Sequence, residues 1–122
     1  MEILLRKLQL DDAEPMLEWM LNPAIYSKMQ YVYKRMDIEK CLRFIKNSWS
    51  DEHNIHWAVS DISQKYMGTI SLKNIDYKNK NAEFAMVIHP TYIGKGIGSR
   101  ALQKLVEKVF TEMVIKIFCG FP

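Results

Sequence analysis

The spacing of apolar residues changes twice along this chain of 122 residues, and these changes restrict its fold more than any other feature. The spacing is helical from Ile38 to Trp49, alternating from Ile55 to Pro90, and helical again from Ile97 onward. The alternating part holds three apolar runs, separated by polar residues at 61–65 and 76–81. Short polar turns between such runs predict an antiparallel meander with helices before and after it.

Both ends of the chain add further elements to this pattern. Residues 2–10 read as a strand, and a helix follows for which Asp11 is the expected cap and Glu14 completes a capping box. Asn22-Pro23 predicts the end of that helix, Asp37 is the expected cap of the next one, and residues 113–119 read as a last strand. The predicted order β-α-α-β-β-β-α-β describes an α+β domain.

Composition limits the function classes. The length predicts one domain over residues 1–122, and a net charge of +3 from scattered Lys and Arg argues against a nucleic-acid surface. No apolar run reaches the ~20 residues of a membrane span, and the N-terminus lacks the pattern of a signal peptide. Cys41 and Cys119 have neither metal-site nor disulfide-framework spacing, so we expect a cytoplasmic protein.

Three alternating glycines, Gly94, Gly96 and Gly98, lie where the strand ending at Pro90 gives way to a helix. A glycine-rich turn before a helix N-terminus can bind a phosphate through free N–H groups, and Lys95 adds a positive charge. The same glycines also fit a flexible turn with close helix–sheet packing, and their spacing alone does not decide between the two. Walker and Rossmann loops are excluded, because their glycine spacings and partner residues are absent.

The segment "VIHPTYIGKGIGSRAL" after an "AEF" strand resembles the acetyl-coenzyme-A-binding motif Q/R-x-x-G-x-G/A of the GNAT N-acetyltransferases. The element order is similar to that family's order through its fifth strand. The resemblance implies acetyl-CoA as co-substrate, with strand contacts from Met86, Val87 and Ile88. It implies a pyrophosphate cradle made by Gly94, Lys95, Gly96, Ile97, Gly98 and Ser99. Ile93 departs from the Q/R of the motif, but the family contact is made largely by backbone amides.

Transfer of an acetyl group to an amine requires a proton acceptor and stabilisation of an oxyanion. The resemblance assigns the oxyanion to the Met86 amide, and Glu83 is the candidate base because its strand is otherwise apolar. A solvated glutamate, or one paired with a lysine, is the equal alternative. We expect packed or solvated roles for His56 and His89. Zinc is not expected at "EHNIH", because the spacing is not H-E-x-x-H.

The segments "EWMLNPAIYSKM" and "ISLKNIDYKNKNAEF" are similar to the branch of ribosomal-protein and amino-sugar acetyltransferases. The resemblance therefore implies a primary amine acceptor, either an amino sugar or a protein N-terminus. Family domains usually continue past the fifth strand, so we expect a C-terminally incomplete domain, in which a homodimer could cover the last strand. Without the continuation that often carries a general acid, a catalytically weak or inactive coenzyme A-binding module is the alternative to an enzyme.

Overall fold

A computed structural model describes residues 2–22, 37–109 and 116–119, the last range by its backbone. The helices are α1 (Ala13–Met20), α2 (Ile38–Ser48) and α3 (Ile97–Lys108). The strands are β1 (Leu4–Lys7), β2 (Ile55–Ser60), β3 (Tyr66–Asp76), β4 (Asn81–Ile88) and β5 (Lys116–Cys119). The order of these elements matches the order predicted from the sequence. The sequence-based expectations for residues 23–36, Phe110 and 113–115 concern positions outside the described residues.

The five strands form one sheet in the order β1-β2-β3-β4-β5. Strands β1 to β4 are antiparallel neighbours, and β5 runs parallel to β4. The predicted meander and its two turns are confirmed. Each turn is closed by an aspartate whose carboxylate accepts backbone N–H groups: Asp61 from Ser63 and Lys65, and Asp76 from Lys78 and Asn79.

The sequence predicted the cap of α2 correctly, but not the cap of α1. Asp37 caps α2 as expected, since its carboxylate accepts the Lys40 N–H at 2.9 Å. The capping box of Asp11 and Glu14 is wrong, because a 3₁₀ turn at Leu10–Asp12 precedes α1. Asp12 takes over the local bonding: it accepts the Gln9 N–H at 2.8 Å and a bidentate pair from Arg6, both at 2.8 Å.

The sheet has an apolar layer on each face, and β4 contributes to both. Phe84, Met86 and Ile88 belong to the cluster that packs against α3, whereas Val87 belongs to the cluster under α1 and α2. This follows from the period of two in a strand, which sends successive side chains to opposite faces. Strand β4 is therefore the shared wall of two separate surfaces. None of the described helices is long and apolar enough to span a bilayer.

Candidate functional site

The loop between β4 and α3 is built around positive backbone angles. A 3₁₀ turn at Pro90–Tyr92 follows the strand, and the His89 Nδ1 accepts the Thr91 N–H at 3.2 Å. Gly94 and Gly96 then have φ of +85° and +75°, and Gly96 is the N-cap residue of α3. L-residues with side chains rarely adopt such angles, so glycine fits the path of the loop at both positions.

The N–H groups of residues 94–99 are available to a ligand. Among the described residues no backbone or side-chain group accepts a hydrogen bond from any of them, while the Gly96 carbonyl accepts the Arg100 N–H at 3.3 Å. Three of these N–H groups, on Ile97, Gly98 and Ser99, form the first turn of α3, where no intrahelical partner exists. The positive end of the helix dipole acts at the same place, so the loop is suited to an anion.

The three glycines serve two different purposes. A Cβ added at Gly94 or Gly96 would meet no atom within 4 Å, so these glycines are required by their backbone angles and leave open space beside the loop. A Cβ at Gly98 would lie 3.1 Å from Met86 Cε, so Gly98 allows α3 to pack closely on β4. Close helix–sheet packing therefore accounts for Gly98, whereas Gly94 and Gly96 fit the backbone angles of the loop, and phosphate binding there stays a prediction.

A shallow depression of about 320 Å³ lies over this loop. Seven of the nine residues proposed for the cofactor line it: Met86, Ile88, Gly94, Gly96, Ile97, Gly98 and Ser99. Val87 lines a different cavity on the other face of the sheet. The Lys95 Nζ lies over the ring of Tyr92, 5.8 Å from its centroid, at the rim. Tyr92 and Ile93 complete the lining; Ile93 is the residue that departs from the motif, and Tyr92 was not assigned to the cofactor from the sequence.

A second lysine approaches the same ring from a distant part of the chain. The Lys65 Nζ, in the β2–β3 turn, lies 5.6 Å from the Tyr92 centroid. Hydrogen bonding with Tyr92 raises the pKa of the Lys65 ammonium. Two cations therefore flank the depression. The sequence gives no signal for Lys65, because its proximity depends on how the turn meets the end of β4.

Within the described part of the chain, the outer edge of β4 is unpaired beside the depression. Pairing with β5 covers Asn81 to Phe84, and the described residues provide no partner strand for Ala85–Ile88 on that edge. The His89 N–H donates to the Met67 carbonyl at 2.8 Å, in the register that pairs Ile70 with Met86. Because antiparallel ladders alternate, the N–H and C=O of Met86 and Ile88 point away from β3 toward the open edge.

The second cavity, of about 230 Å³, lies on the opposite face of β4. Its walls come from α1, α2 and strands β2 to β4, and most of them are apolar side chains, including Trp19, Phe44 and Val87. Met86 lines both cavities. The two cavities therefore meet at the part of β4 whose backbone faces the open edge.

His56 is a titratable group in the wall of this cavity, and it is packed, which is one of the two roles expected from the sequence. Its Nδ1 lies 2.6 Å from Ser71 Oγ, and its ring meets Phe44 edge-on at 4.7 Å. Burial lowers the pKa of His56; Asp51 opposes this shift, and Lys73 adds to it. The imidazole is thus kept neutral at physiological pH.

The other proposed groups lie outside both cavities. Glu83 shares its face with Ala85 and Val87 as expected, but its carboxylate is exposed and accepts from Asn74 Nδ2 at 3.1 Å, so the dry environment expected for it is not found. His89 Nε2 donates to Glu18 at 2.9 Å, since its Nδ1 is the acceptor of the Thr91 bond. This contact ties α1 to the end of β4.

The histidines of "EHNIH" are separated in the structure. His53 meets the ring of Tyr77 edge-on at 6.0 Å, while His56 faces the second cavity. Within the described ranges, no three or more His, Cys, Asp or Glu side chains gather as a metal site would require.

The chain is also similar to known proteins. The family model of the acetyltransferase (GNAT) domain matches residues 2–121. The chain is 26% identical over 113 residues to the uncharacterized N-acetyltransferase p20 of Bacillus licheniformis; the match covers 89% of this chain and spans 63% of the length of p20.

Two solved structures show the same fold. The immunity acetyltransferase MccE, in complex with acetyl-CoA and AMP, superposes with a TM-score of 0.83 at 25% identity, over 97% of this chain and 68% of that one. Spermidine N-acetyltransferase from Vibrio cholerae, in complex with CoA and spermine, gives 0.81 at 21% identity, over 96% and 69%. GNAT acetyltransferases use acetyl-CoA as co-substrate. On the match over residues 2–121, the chain belongs to the GNAT acetyltransferase family.

Proposed function

We propose that this chain is an acetyl-CoA-dependent N-acetyltransferase that transfers the acetyl group directly to a primary amine. The observation that carries the proposal is the group of N–H donors at residues 94–99, for which the described residues provide no acceptor. These donors lie beside an open strand edge, in a chain of the GNAT family. An enzyme of this class requires both features in one place.

The residues present fit the co-substrate. The pyrophosphate would bind the loop from Gly94 to Ser99, with Lys95 and Lys65 at its rim. The pantetheine arm would extend along β4 by bonding to the N–H and C=O groups that face the open edge. Acetyl-CoA supplies an activated acetyl group as a thioester.

The chain's own groups then act on the acceptor. The Met86 N–H would stabilise the negative charge that develops on the carbonyl oxygen. The amine nitrogen bonds to the acetyl carbon, the carbon–sulfur bond breaks, and coenzyme A leaves as the thiolate with the electron pair. The nitrogen gives up one proton, and Glu83 is our candidate to accept it at its carboxylate through water, because that carboxylate is exposed.

The acceptor and the assembly belong to the proposal as well. We propose an amino sugar or a protein N-terminus as the acceptor; the similar structure from Vibrio cholerae is a spermidine N-acetyltransferase. Strand β5 is the last described strand at its edge of the sheet. A second copy of the chain pairing there would form a homodimer. The molar mass in solution, measured by light scattering, tests this point.

Two measurements test the activity together. Acetyl-CoA at ~100 times its dissociation constant should add about 2.7 kcal/mol to the free energy of unfolding, and transfer should release thiol when an amine is supplied. The Gly96→Glu variant should lose the stabilisation, because its side chain and charge enter the phosphate position. Stabilisation without thiol release over a wide amine panel favours the coenzyme A-binding module. No stabilisation at any concentration contradicts both.

A further inference from the structure

We propose that Lys65, in the turn between β2 and β3, binds the diphosphate of acetyl-CoA and that Tyr92 positions it there. This inference deepens the proposed function and rests on it, since it takes the loop from Gly94 to Ser99 to hold that diphosphate. Lys65 then determines the affinity for a co-substrate that carries a diphosphate, although it belongs to a turn outside the glycine loop.

The glycine loop itself carries little positive charge. A diphosphate diester is a dianion, whereas Lys95 is the one charged side chain from Pro90 to Ser99. Ile93, at the position where the motif has Gln or Arg, lines the depression with a side chain that has neither a charge nor a hydrogen-bond donor. A second cation beside the loop would therefore match the charge of the ligand.

Tyr92 brings two lysines from separate parts of the chain to one place. Its side chain lines the depression, and the Lys65 Nζ and Lys95 Nζ lie 5.6 Å and 5.8 Å from the centre of its ring. Both distances are shorter than the Debye length of ~8 Å at physiological ionic strength, so salt screens neither charge fully there. Tyr92 also hydrogen-bonds Lys65, which leaves the other N–H donors of the ammonium group for a ligand.

The turn that carries Lys65 is held from two directions. Within the turn, the Asp61 carboxylate accepts the Lys65 N–H at 3.1 Å, and the Gln64 N–H donates to the Asp61 carbonyl at 3.1 Å. From β1, Arg6 donates to the Gln64 carbonyl at 2.8 Å, while its guanidinium group pairs bidentately with Asp12. The Lys65 backbone is therefore in place before a ligand binds, so only its side chain loses freedom on binding.

The acidic group nearest in sequence does not neutralise Lys65. Asp61 directs its carboxylate to the N–H groups of Ser63 and Lys65 and to the Ser63 hydroxyl, and it raises the pKa of Lys65 less than Tyr92 does. Across the described ranges, no carboxylate forms an ion pair with Lys65 or with Lys95. The charge of Lys65 is therefore available to an anionic ligand.

Three ligands test the inference through their dissociation constants, measured by isothermal titration calorimetry. We expect Lys65→Gln to weaken the binding of acetyl-CoA about tenfold, because it removes a charge-assisted hydrogen bond. Acetyl-3′-dephospho-CoA keeps the diphosphate and should lose as much affinity, whereas S-acetylpantetheine lacks it and should bind the variant and the wild type equally. Lys65→Arg keeps the charge and should restore the affinity to within about threefold of the wild type.

A double-mutant cycle tests the positioning role of Tyr92. Tyr92→Phe keeps the ring but removes the hydroxyl group, and it should weaken the binding of acetyl-CoA about threefold in the wild type but not in the Lys65→Gln background. The control is Lys78→Gln, exposed in the turn at the other end of β3, which should leave all three dissociation constants unchanged.

Wild-type affinity for acetyl-CoA in Lys65→Gln overturns the inference. A loss of affinity that disappears with acetyl-3′-dephospho-CoA, or that is equally large with S-acetylpantetheine, overturns it as well. An equal effect of Tyr92→Phe in both backgrounds overturns the role given to Tyr92. The proposed function fails separately, if acetyl-CoA binds but no amine releases thiol from it; a wild-type protein that does not bind acetyl-CoA contradicts both.

Discussion

His56 on β2 lies directly opposite Ser71 on β3, and the two side chains meet with Nδ1 2.6 Å from Oγ. The pair sits in the wall of the second cavity, where burial lowers the pKa of His56. The pKa of a histidine in the unfolded chain is ~6.5. The folded protein therefore binds fewer protons than the unfolded chain just below that pH.

The free energy of unfolding should consequently decrease as the pH falls from about 7.5 through ~6.5 toward the lowered pKa of His56. Urea denaturation at pH 7.5 and pH 5.5 measures the decrease, and it should be smaller in the His56→Asn variant. His53→Asn, at an exposed site outside the cavity, is the control and should keep the wild-type decrease. An identical decrease in the wild type and the His56 variant would contradict the assignment of the shift to burial.

Gly68 determines how closely β3 and β4 approach. A Cβ there would lie 2.4 Å from the Val87 carbonyl oxygen and 3.0 Å from Ile88 Cα, both backbone atoms of β4. We expect Gly68→Ala to lower the free energy of unfolding by about 3 kcal/mol and to weaken acetyl-CoA binding by displacing β4. Gly94→Ala has open space but an unfavourable φ of +85°, and should cost about 1–2 kcal/mol. Denaturant unfolding measures both losses. A smaller loss of unfolding free energy in Gly68→Ala than in Gly94→Ala would contradict this prediction.

Tyr66 joins α1 to the sheet beside the second cavity, whose walls include Trp19 and Thr69. Its hydroxyl accepts from Trp19 Nε1 at 2.8 Å and lies 2.7 Å from Thr69 Oγ1, and burial raises its pKa. Tyr66→Phe removes both bonds and should cost about 1–3 kcal/mol in unfolding free energy. The control is Tyr77→Phe, at a half-exposed ring whose hydroxyl donates to the Glu52 carbonyl, with a loss of less than ~1 kcal/mol. Equal losses of unfolding free energy in the two variants would contradict a larger stabilising effect of the buried Tyr66 hydrogen bonds.

Glu83 remains a predicted base. Glu83→Gln should leave the stabilisation by acetyl-CoA intact and lower kcat by roughly 10²-fold or more, since general bases contribute that much. Glu14→Gln, at an exposed carboxylate of α1, is the matched control and should keep full turnover. Wild-type turnover in Glu83→Gln would assign Glu83 to the solvated role that its exposed position also allows.

Local features of this fold could be predicted from the sequence. The meander, the Asp37 cap and the start of α3 after Gly96 follow from alternation, capping chemistry and glycine, which act over a few residues. The missed features depend on packing. Asp12, rather than Asp11, makes the local side-chain bonds, because the Gln9 N–H and Arg6 on β1 lie within reach of its carboxylate.

In the candidate site, too, local features could be predicted from the sequence, and features that depend on packing could not. The glycine loop was visible as a motif, but the approach of Lys65 to Tyr92 joins a turn to a distant loop. The placement of His56 beside an apolar cavity depends on α1, α2 and three strands meeting. Alternation predicted the face of Glu83 but not its exposure, because exposure is set by what packs above the strand.

The proposed function depends on amides at the start of α3 that bind a diphosphate. Backbone amide NMR of the ¹⁵N-labelled protein tests this most directly, by titration with acetyl-CoA and with S-acetylpantetheine, which lacks the diphosphate. We predict that the N–H resonances of Gly94, Gly96 and Gly98 move downfield with acetyl-CoA only, while those of Met86 and Ile88 respond to both ligands. Loop amides that are unchanged by acetyl-CoA, or that respond equally to acetylpantetheine, would contradict the account.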